Sequence, residues 1–185
     1  MQSRRDESRG LRSEVYRCAV SSLNVRHLRA DEADLHRQLR LEALRESPRA
    51  FGDTLEPLER KGADYWNMLT QRVCSVDAMV VAFDGVRPIG MIYGLRDQQI
   101  RQGARLGGVW VDTPYRRRGA GRLLVHSVIA WAQTHGFATA RLWVGHEEEA
   151  AIALYERCGF VFSGRERPLE DRPSIVIREM RRALA

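Results

Sequence analysis

Residues 109–124 read VWVDTPYRRRGAGRLL: an apolar run, a proline turn, three consecutive arginines, a Gly-Ala-Gly step and the start of a leucine-rich stretch. A strand that passes through a glycine turn into a helix gathers unpaired backbone N–H groups at the positive end of the helix dipole. Such a concavity is a binding site for phosphate. Gly119 and Gly121 let the backbone approach a pyrophosphate without a Cβ in the way, while Arg116, Arg117 and Arg118 can screen its charge or grip a ribose phosphate. A basic turn with a flexible joint is the plainer alternative.

The flanking sequence places this turn within a larger pattern. RLGGVWV (105–111) reads as a strand paired antiparallel with PIGMIYGL (88–95), which forms a hairpin with AMVVAF (78–83) through Asp84-Gly85. The double glycine Gly107-Gly108 predicts a bulge or a close backbone approach. After the turn, Leu124, Val128 and Trp131 share one face of a helix that stops at Gly136. ARLWVG (140–145) predicts a strand, EEEAAIALYERC (147–158) a helix ended by Gly159, and FVFSG (160–164) and SIVIREM (174–180) the closing strands.

Toward the N-terminus, LNVRHL (23–28) alternates like a half-buried strand, and Asp31 offers a cap to a leucine-rich helix stopped by Ser47-Pro48. PRAFGDTLEP (48–57) predicts a loop before a second helix with Tyr65, Trp66 and Leu69. The expected order is therefore β-α-α-β-β-β-α-β-α-β-β.

A chain of 185 residues fits one domain, and 44% hydrophobic with 29% charged residues is a globular composition. The apolar runs are too short to cross a membrane, and the arginine-rich start lacks the apolar stretch of a signal peptide. Cys18, Cys74 and Cys158 are odd in number and far apart, which predicts reduced thiols in a cytoplasmic protein. The five histidines show no metal-ligand spacing, so no metal is expected. Of the net charge of +6, part sits in residues 1–22, read as a flexible extension, and apart from Arg116–Arg118 the remaining arginines are interspersed with acids. That pattern argues against a nucleic-acid partner.

Spacing narrows the phosphate ligand. A dinucleotide fingerprint needs a third glycine where this chain has Leu124, and a Walker loop needs Gly-Lys-Ser/Thr, whereas the only lysine is Lys61. Arg116-x-x-Gly119-x-Gly121, preceded by VWVDTPY, instead resembles the acyl-coenzyme A pyrophosphate loop of the GNAT superfamily of N-acetyltransferases. AAIALYERCGF (150–160) is similar to that family's second signature, and the resemblance spans roughly residues 23–182. It implies the GNAT fold, an α/β (α+β) arrangement with a central mixed, mostly antiparallel twisted sheet of about seven strands and helices on both faces. A single domain over residues 23–185 would hold it.

The resemblance also implies a site. The strand of Val109, Trp110 and Val111 would splay from Leu142 to Val144, pantetheine would lie in the wedge, and N–H groups of Arg117, Arg118, Gly119, Ala120, Gly121 and Arg122 would hold the pyrophosphate of acetyl-CoA. Tyr155 matches a tyrosine that protonates the departing thiolate, a task within reach of an unperturbed phenol with a pKa of about 10. The implied reaction is attack of a neutral amine on the thioester, with the protein supplying position, an oxyanion donor, a route for the amine proton and an acid for sulfur.

Two features depart from the family pattern. Glu148, three residues before Ala151, stands where relatives often carry a cofactor-contacting asparagine. The strand before the turn has no carboxylate ahead of Asp112, which leaves the amine proton to water or to Glu56 or Glu59; His126 and His146 read as surface or strand-end residues. The acceptor would lie near residues 46–66 and 163–174, where Glu46, Asp53, Glu56, Glu59, Asp64, Glu166, Glu170 and Asp171 favour a cationic amine if they face the cleft. The same segments contain Arg49, Arg60, Lys61, Arg165, Arg167 and Arg172, the mix of an ordinary surface. The reading is an acetyl-CoA-dependent N-acetyltransferase acting on a small-molecule or peptide amine, with a homodimer as the expected assembly. A non-catalytic acyl-CoA sensor of the same fold is the alternative.

Overall fold

In the computed structural model, which describes residues 22–48, 51, 53–170 and 172–184, the chain runs β1 (Leu23–His27), α1 (Ala33–Glu46), α2 (Leu55–Glu59), α3 (Ala63–Val76), β2 (Ala78–Asp84), β3 (Arg87–Arg96) and β4 (Gly103–Val111). It continues through a 3-10 turn (Thr113–Tyr115), α4 (Ala120–Thr134), β5 (Thr139–Gly145), α5 (Glu149–Arg157), β6 (Val161–Leu169) and β7 (Arg172–Ala183). The expectation of a flexible extension over residues 1–22 lies outside the described residues except for Ser22.

The strands form one seven-stranded sheet in the order β1-β2-β3-β4-β5-β7-β6, antiparallel except for the β4–β5 pair. The run AMVVAF shows no polar alternation because β2 is buried on both faces. Ala78, Val80 and Ala82 pack in one core with Leu124 and Val128 of α4, whereas Met79, Val81 and Phe83 join Leu39 and Leu44 of α1 and Val73 of α3 in the other. Helix α4 comes so close to β3 that a Cβ on Gly94 would lie 2.6 Å from a Val128 methyl. That contact requires glycine there.

The parting of β4 and β5 creates the site. They pair only from Gly103↔Thr139 to Arg105↔Arg141, while β5 stays on β7 as far as Gly145↔Ile177 and β4 stays on β3 as far as Val111↔Gly90. A buried ion cluster lies at the fork. Arg141 donates two hydrogen bonds to Asp97, one through Nη2 at 2.8 Å, and a third to Glu179 at 3.0 Å; both carboxylates are fully buried. Burial pushes the Glu179 carboxyl up, but hydrogen bonds from Arg181, Ser163 and Arg141 outweigh it and hold the group at about 2.

The structure corrects the sequence reading at three places. Helix α1 begins after Glu32 rather than at Asp31, because Glu32 is engaged by Arg26 through two bonds and by the N–H of Arg29. The expected loop 48–57 holds the start of α2, a short amphipathic turn packed through Leu55 and Leu58. The expected loop 163–174 is mostly strand, since β6 runs on to Leu169 against β7. A ribbon exposed on both faces carries no apolar alternation, so its polar sequence resembles a loop.

Candidate active site

A cleft of about 1650 Å³ occupies the fork and extends from the turn before α4, between β4 and β5, to the α1/α3 side of the sheet. Beyond Arg105 and Arg141 the facing edges of the two strands have no ladder partner. Unpaired strand edges inside a sheet require a ligand with its own amide-like donors and acceptors, or water. A bulge sharpens the geometry: Tyr93 pairs with Gly107 and Met91 with Trp110, which leaves Gly108 and Val109 without individual partners on β3. Gly108 has φ +60°, and a Cβ there would meet the Tyr93 ring at 2.6 Å. The bulge expected from Gly107-Gly108 is present.

At the α4 end, Gly119 is the N-cap with φ +97° and has no side chain with which to cap the helix. The N–H groups of the first helical turn, from Ala120 to Arg122, are therefore left for a ligand. Arg117 has φ +60°, an uncommon conformation for a residue with a Cβ, and the loop curls around the helix end. Gly121 lies under Leu154, whose methyl would be 3.1 Å from an added Cβ. These features fit a pyrophosphate.

The anticipated site residues are not all used alike. Val109, Trp110, Val111, Arg116, Arg117, Gly119, Gly121, Arg122, Glu148, Ala151 and Tyr155 line the cleft. Arg118 does not: its guanidinium stacks on Tyr115 and lies 3.6 Å from Asp84. Ala120 is buried against the core, so only its backbone can face a ligand. Arg116 is committed to the protein, donating to the Val111 carbonyl at 2.8 Å and to Glu46 at 2.9 Å.

The sequence reading assigned no role to Glu46 in this loop. At the last position of α1 it accepts from Trp110 Nε1 at 2.7 Å, from the Thr113 hydroxyl and from Arg116, binding β4 and the turn to the helix. An acid at a helix C-terminus opposes the dipole, and that local mismatch was the available signal.

Tyr155 is buried, packs edge-on to Phe160, and its hydroxyl makes no hydrogen bond among the described residues. Burial, reinforced by Cys158 and Glu148, raises its pKa well above the usual phenol value, so the expected unperturbed phenol is corrected. At neutral pH the group stays protonated and can donate a hydrogen bond to a sulfur anion. Cys158 is buried with its thiol also pushed up by burial, which suits a packing residue.

The base candidates mostly lie elsewhere. Asp112 precedes the 3-10 turn without a side-chain capping bond and faces Arg87 at 3.3 Å; Glu56 pairs with Arg60 and Glu59 with Arg45. His126 is exposed outside the cleft, and His146 is exposed on its rim. The acidic acceptor surface is likewise reduced. Of the acids expected there, only Asp53 and Glu170 line the cleft, Asp53 is paired to Arg40, and Asp171 lies outside the described residues.

The α1/α3 end is built from side chains. His36 is fully buried, with Nδ1 2.8 Å from the Thr70 hydroxyl and Nε2 2.6 Å from the Tyr93 hydroxyl. Burial, helped by nearby Arg40, lowers its pKa to about 4, so the ring is neutral at physiological pH. Arg40 stacks on Phe51 and pairs with Asp53, while among the described residues its Nη1 is buried without a partner, as is Trp66 Nε1.

The model of the acetyltransferase (GNAT) family matches residues 39–160, a stretch that contains the forked strands, the glycine turn and Tyr155. The chain belongs to the GNAT family. Among curated relatives, this GNAT chain is 26% identical over 151 residues to an uncharacterized N-acetyltransferase of Methanocaldococcus jannaschii, covering 80% of this chain and 64% of that protein. It is 41% identical over 63 residues to the ribosomal protein bS18-alanine N-acetyltransferase of Salmonella typhimurium, 34% of this chain and 43% of that one. The chain thus spans less than two thirds of the length of these relatives.

The same fold recurs in solved structures. A putative acetyltransferase of Salmonella typhimurium with its cofactor acetyl-CoA superposes with a TM-score of 0.73 at 14% identity, over 89% of this chain and 95% of that one. Spermidine N-acetyltransferase from Vibrio cholerae, in complex with CoA and spermine, gives 0.69 at 19% identity over 89% and 96%.

Proposed function

We propose that this GNAT domain is an N-acetyltransferase that moves an acetyl group from acetyl-CoA to a primary amine in a ternary complex. The observation that carries the reading is the continuity of the open β4–β5 fork with the uncapped start of α4. An extended chain bearing amides and ending in a pyrophosphate fits those two features together. The acetyl-CoA of the Salmonella structure with this fold supports the donor.

The amine nitrogen attacks the thioester carbonyl, the C–N bond forms, and the C–S bond breaks to release the coenzyme thiolate. Negative charge on the carbonyl oxygen falls to a backbone N–H at the Gly108–Val109 bulge, and the ammonium proton leaves through water in the open cleft. Tyr155 donates a hydrogen bond to the departing sulfur. Its raised pKa makes complete proton transfer to a thiolate, whose acid has a pKa of about 8.5, unfavourable. The stabilisation of the thiolate is what the hydroxyl contributes.

The free thiols of Cys74 and Cys158 support a reducing, cytoplasmic setting, and the exposed β6 edge, with Val161 and Phe162, supports self-association there. Among the described residues no helix is long and apolar enough to cross a membrane, and no group of side chains could hold a metal.

Calorimetry with acetyl-CoA, followed by thiol release across a panel of amines, tests the assignment. Tyr155→Phe is expected to lower kcat by about 10- to 100-fold with little change in acetyl-CoA affinity. Binding without thiol release from any amine would replace the enzyme with an acyl-CoA sensor; absence of binding would remove both.

A further inference from the structure

Resting on that reading, we infer that the acceptor amine carries a carboxylate within a few bonds of its nitrogen, and that Arg40 Nη1 and Trp66 Nε1 are the donors that receive it. Both atoms are buried, neither has a hydrogen-bond partner among the described residues, and both residues line the cleft. An unsatisfied buried donor costs about 1–3 kcal/mol, more when charged, so two in one cleft wall call for acceptors from a bound molecule, water or ligand.

Their position indicates where that ligand reacts. Arg40 Nη1 lies 3.4 Å from the point a Cβ on Gly108 would occupy, next to the bulge that faces the thioester carbonyl. A group held by Arg40 is therefore close to the nitrogen that attacks. The guanidinium is fixed in place: Nη2 is tied to Asp53, and the plane lies 4.8 Å over Phe51 and 5.8 Å from the Tyr93 ring. One helical turn away, His36 supports both partners, packing edge-on against Trp66 at 5.4 Å and bonding Tyr93. A planar guanidinium held this way presents its remaining edge to a carboxylate.

The surrounding charge opposes a polyamine. Arg72, Arg105 and Arg167 share this end of the cleft with Arg40, whereas its acids are Asp53, Asp77 and Glu170. Asp53 is taken by Arg40, and Asp77 accepts the backbone N–H of Arg96. Among the described acids at this end, Glu170 is left to hold a second ammonium. An amino-acid-type amine, neutralised at one end by Arg40 and attacking through the other, fits this balance.

The test compares free L-amino acids with their carboxamides, and spermidine as the polyamine control, in thiol-release assays with the full chain. The amide has the less basic and therefore more readily neutral amine, so chemistry alone favours it, and a preference for the acid reports binding. The wild type is expected to favour its best acid over the matching amide by about 30-fold in kcat/KM, a ratio that Arg40→Met collapses through KM for the acid. Trp66→Phe, which removes the donor and keeps an aromatic ring at the cost of a small cavity, should lower the ratio several-fold in protein shown to be folded.

Product-side binding gives a readout that does not need turnover: N-acetyl amino acids and their amides are titrated into protein saturated with CoA. Equal binding of acid and amide, retention of the ratio in Arg40→Met, or preference for spermidine overturns the inference while leaving the acetyltransferase reading intact. Loss of acetyl-CoA binding overturns that reading instead.

Discussion

At the α4 end of the cleft the groups offered to a ligand are backbone N–H groups of one continuous stretch, Ala120 to Arg122, whereas at the α1/α3 end they are side-chain atoms of Arg40 and Trp66 from two separate elements. On the proposed reading the first end recognises a constant chemical group, a pyrophosphate, and needs only a turn with the right φ values and no Cβ in the way. The second must recognise whatever carries the amine. It is assembled by packing that brings α1, α3 and β3 together around His36. A donor end made of backbone tolerates sequence change outside its glycines, while an acceptor end made of side chains is re-specified by single substitutions.

The largest effect that could break this contrast lies at the glycines. With Gly119→Val and Gly121→Val together, a β-branched residue must adopt φ +97° and a new Cβ must press on Leu154. Acetyl-CoA affinity measured by calorimetry should fall by more than about 100-fold, with each strained or blocked position costing about 1–3 kcal/mol. The buried face of α4, with Leu124 and Val128, is untouched, so the double variant should still unfold cooperatively. Wild-type affinity in the folded variant would mean that the arginine side chains, not the backbone, bind the phosphates.

The contrast also explains what was legible beforehand. Gly119, Gly121 and the bulge at Gly108 announce themselves because positive φ and close approach leave glycine as the residue of choice at a fixed place in the chain. The sequence of strands along the chain followed from apolar runs and turns, while the two-sided exposure of β6 hid its length and the short α2 lay hidden in an expected loop. Arg40, His36 and Trp66 gave no such signal. An arginine, a histidine and a tryptophan in helices are ordinary at their own positions, and their joint role appears only when α1 and α3 meet β3. Arg118 misled for the converse reason: it has the right residue type in the right stretch, but Tyr115 and Asp84 hold it away from the cleft.

A pH titration of stability sharpens the comparison at the acceptor end. His36 is neutral when folded, with a pKa of about 4, against about 6.5 for the unfolded chain. Below the unfolded value the unfolded state binds a proton that the native state does not, so stability falls as pH drops from about 6.5 toward about 4. Glu179 does not share this window, because its stabilisation is lost only as pH falls from its ordinary value toward about 2. Urea unfolding should show a loss of about 2 kcal/mol between pH 7.5 and pH 5 from His36 alone, with a flatter profile in His36→Gln. An unchanged profile in that variant would show that His36 takes up its proton in the folded chain as readily as in the unfolded one, and that burial does not keep the ring neutral.

The smallest expected effect joins the two ends. Glu46 belongs to α1, the helix that carries His36 and Arg40, yet its carboxylate holds Trp110, Thr113 and Arg116 beside the phosphate loop. Glu46→Gln keeps one acceptor oxygen and removes the charge, so some hydrogen bonding survives while the ion pair with half-exposed Arg116 is lost. Such partly exposed pairs contribute about 0–1 kcal/mol, which predicts a rise in acetyl-CoA Kd of about two- to fivefold. The informative quantity is the selectivity between amino acids and their amides measured on the same variant. If the ends are mechanically independent, selectivity stays put while Kd moves. If α1 shifts when its C-terminus is released, Arg40 moves with it and selectivity drops together with affinity, and the acceptor end would then have to be treated as coupled to donor binding through one helix.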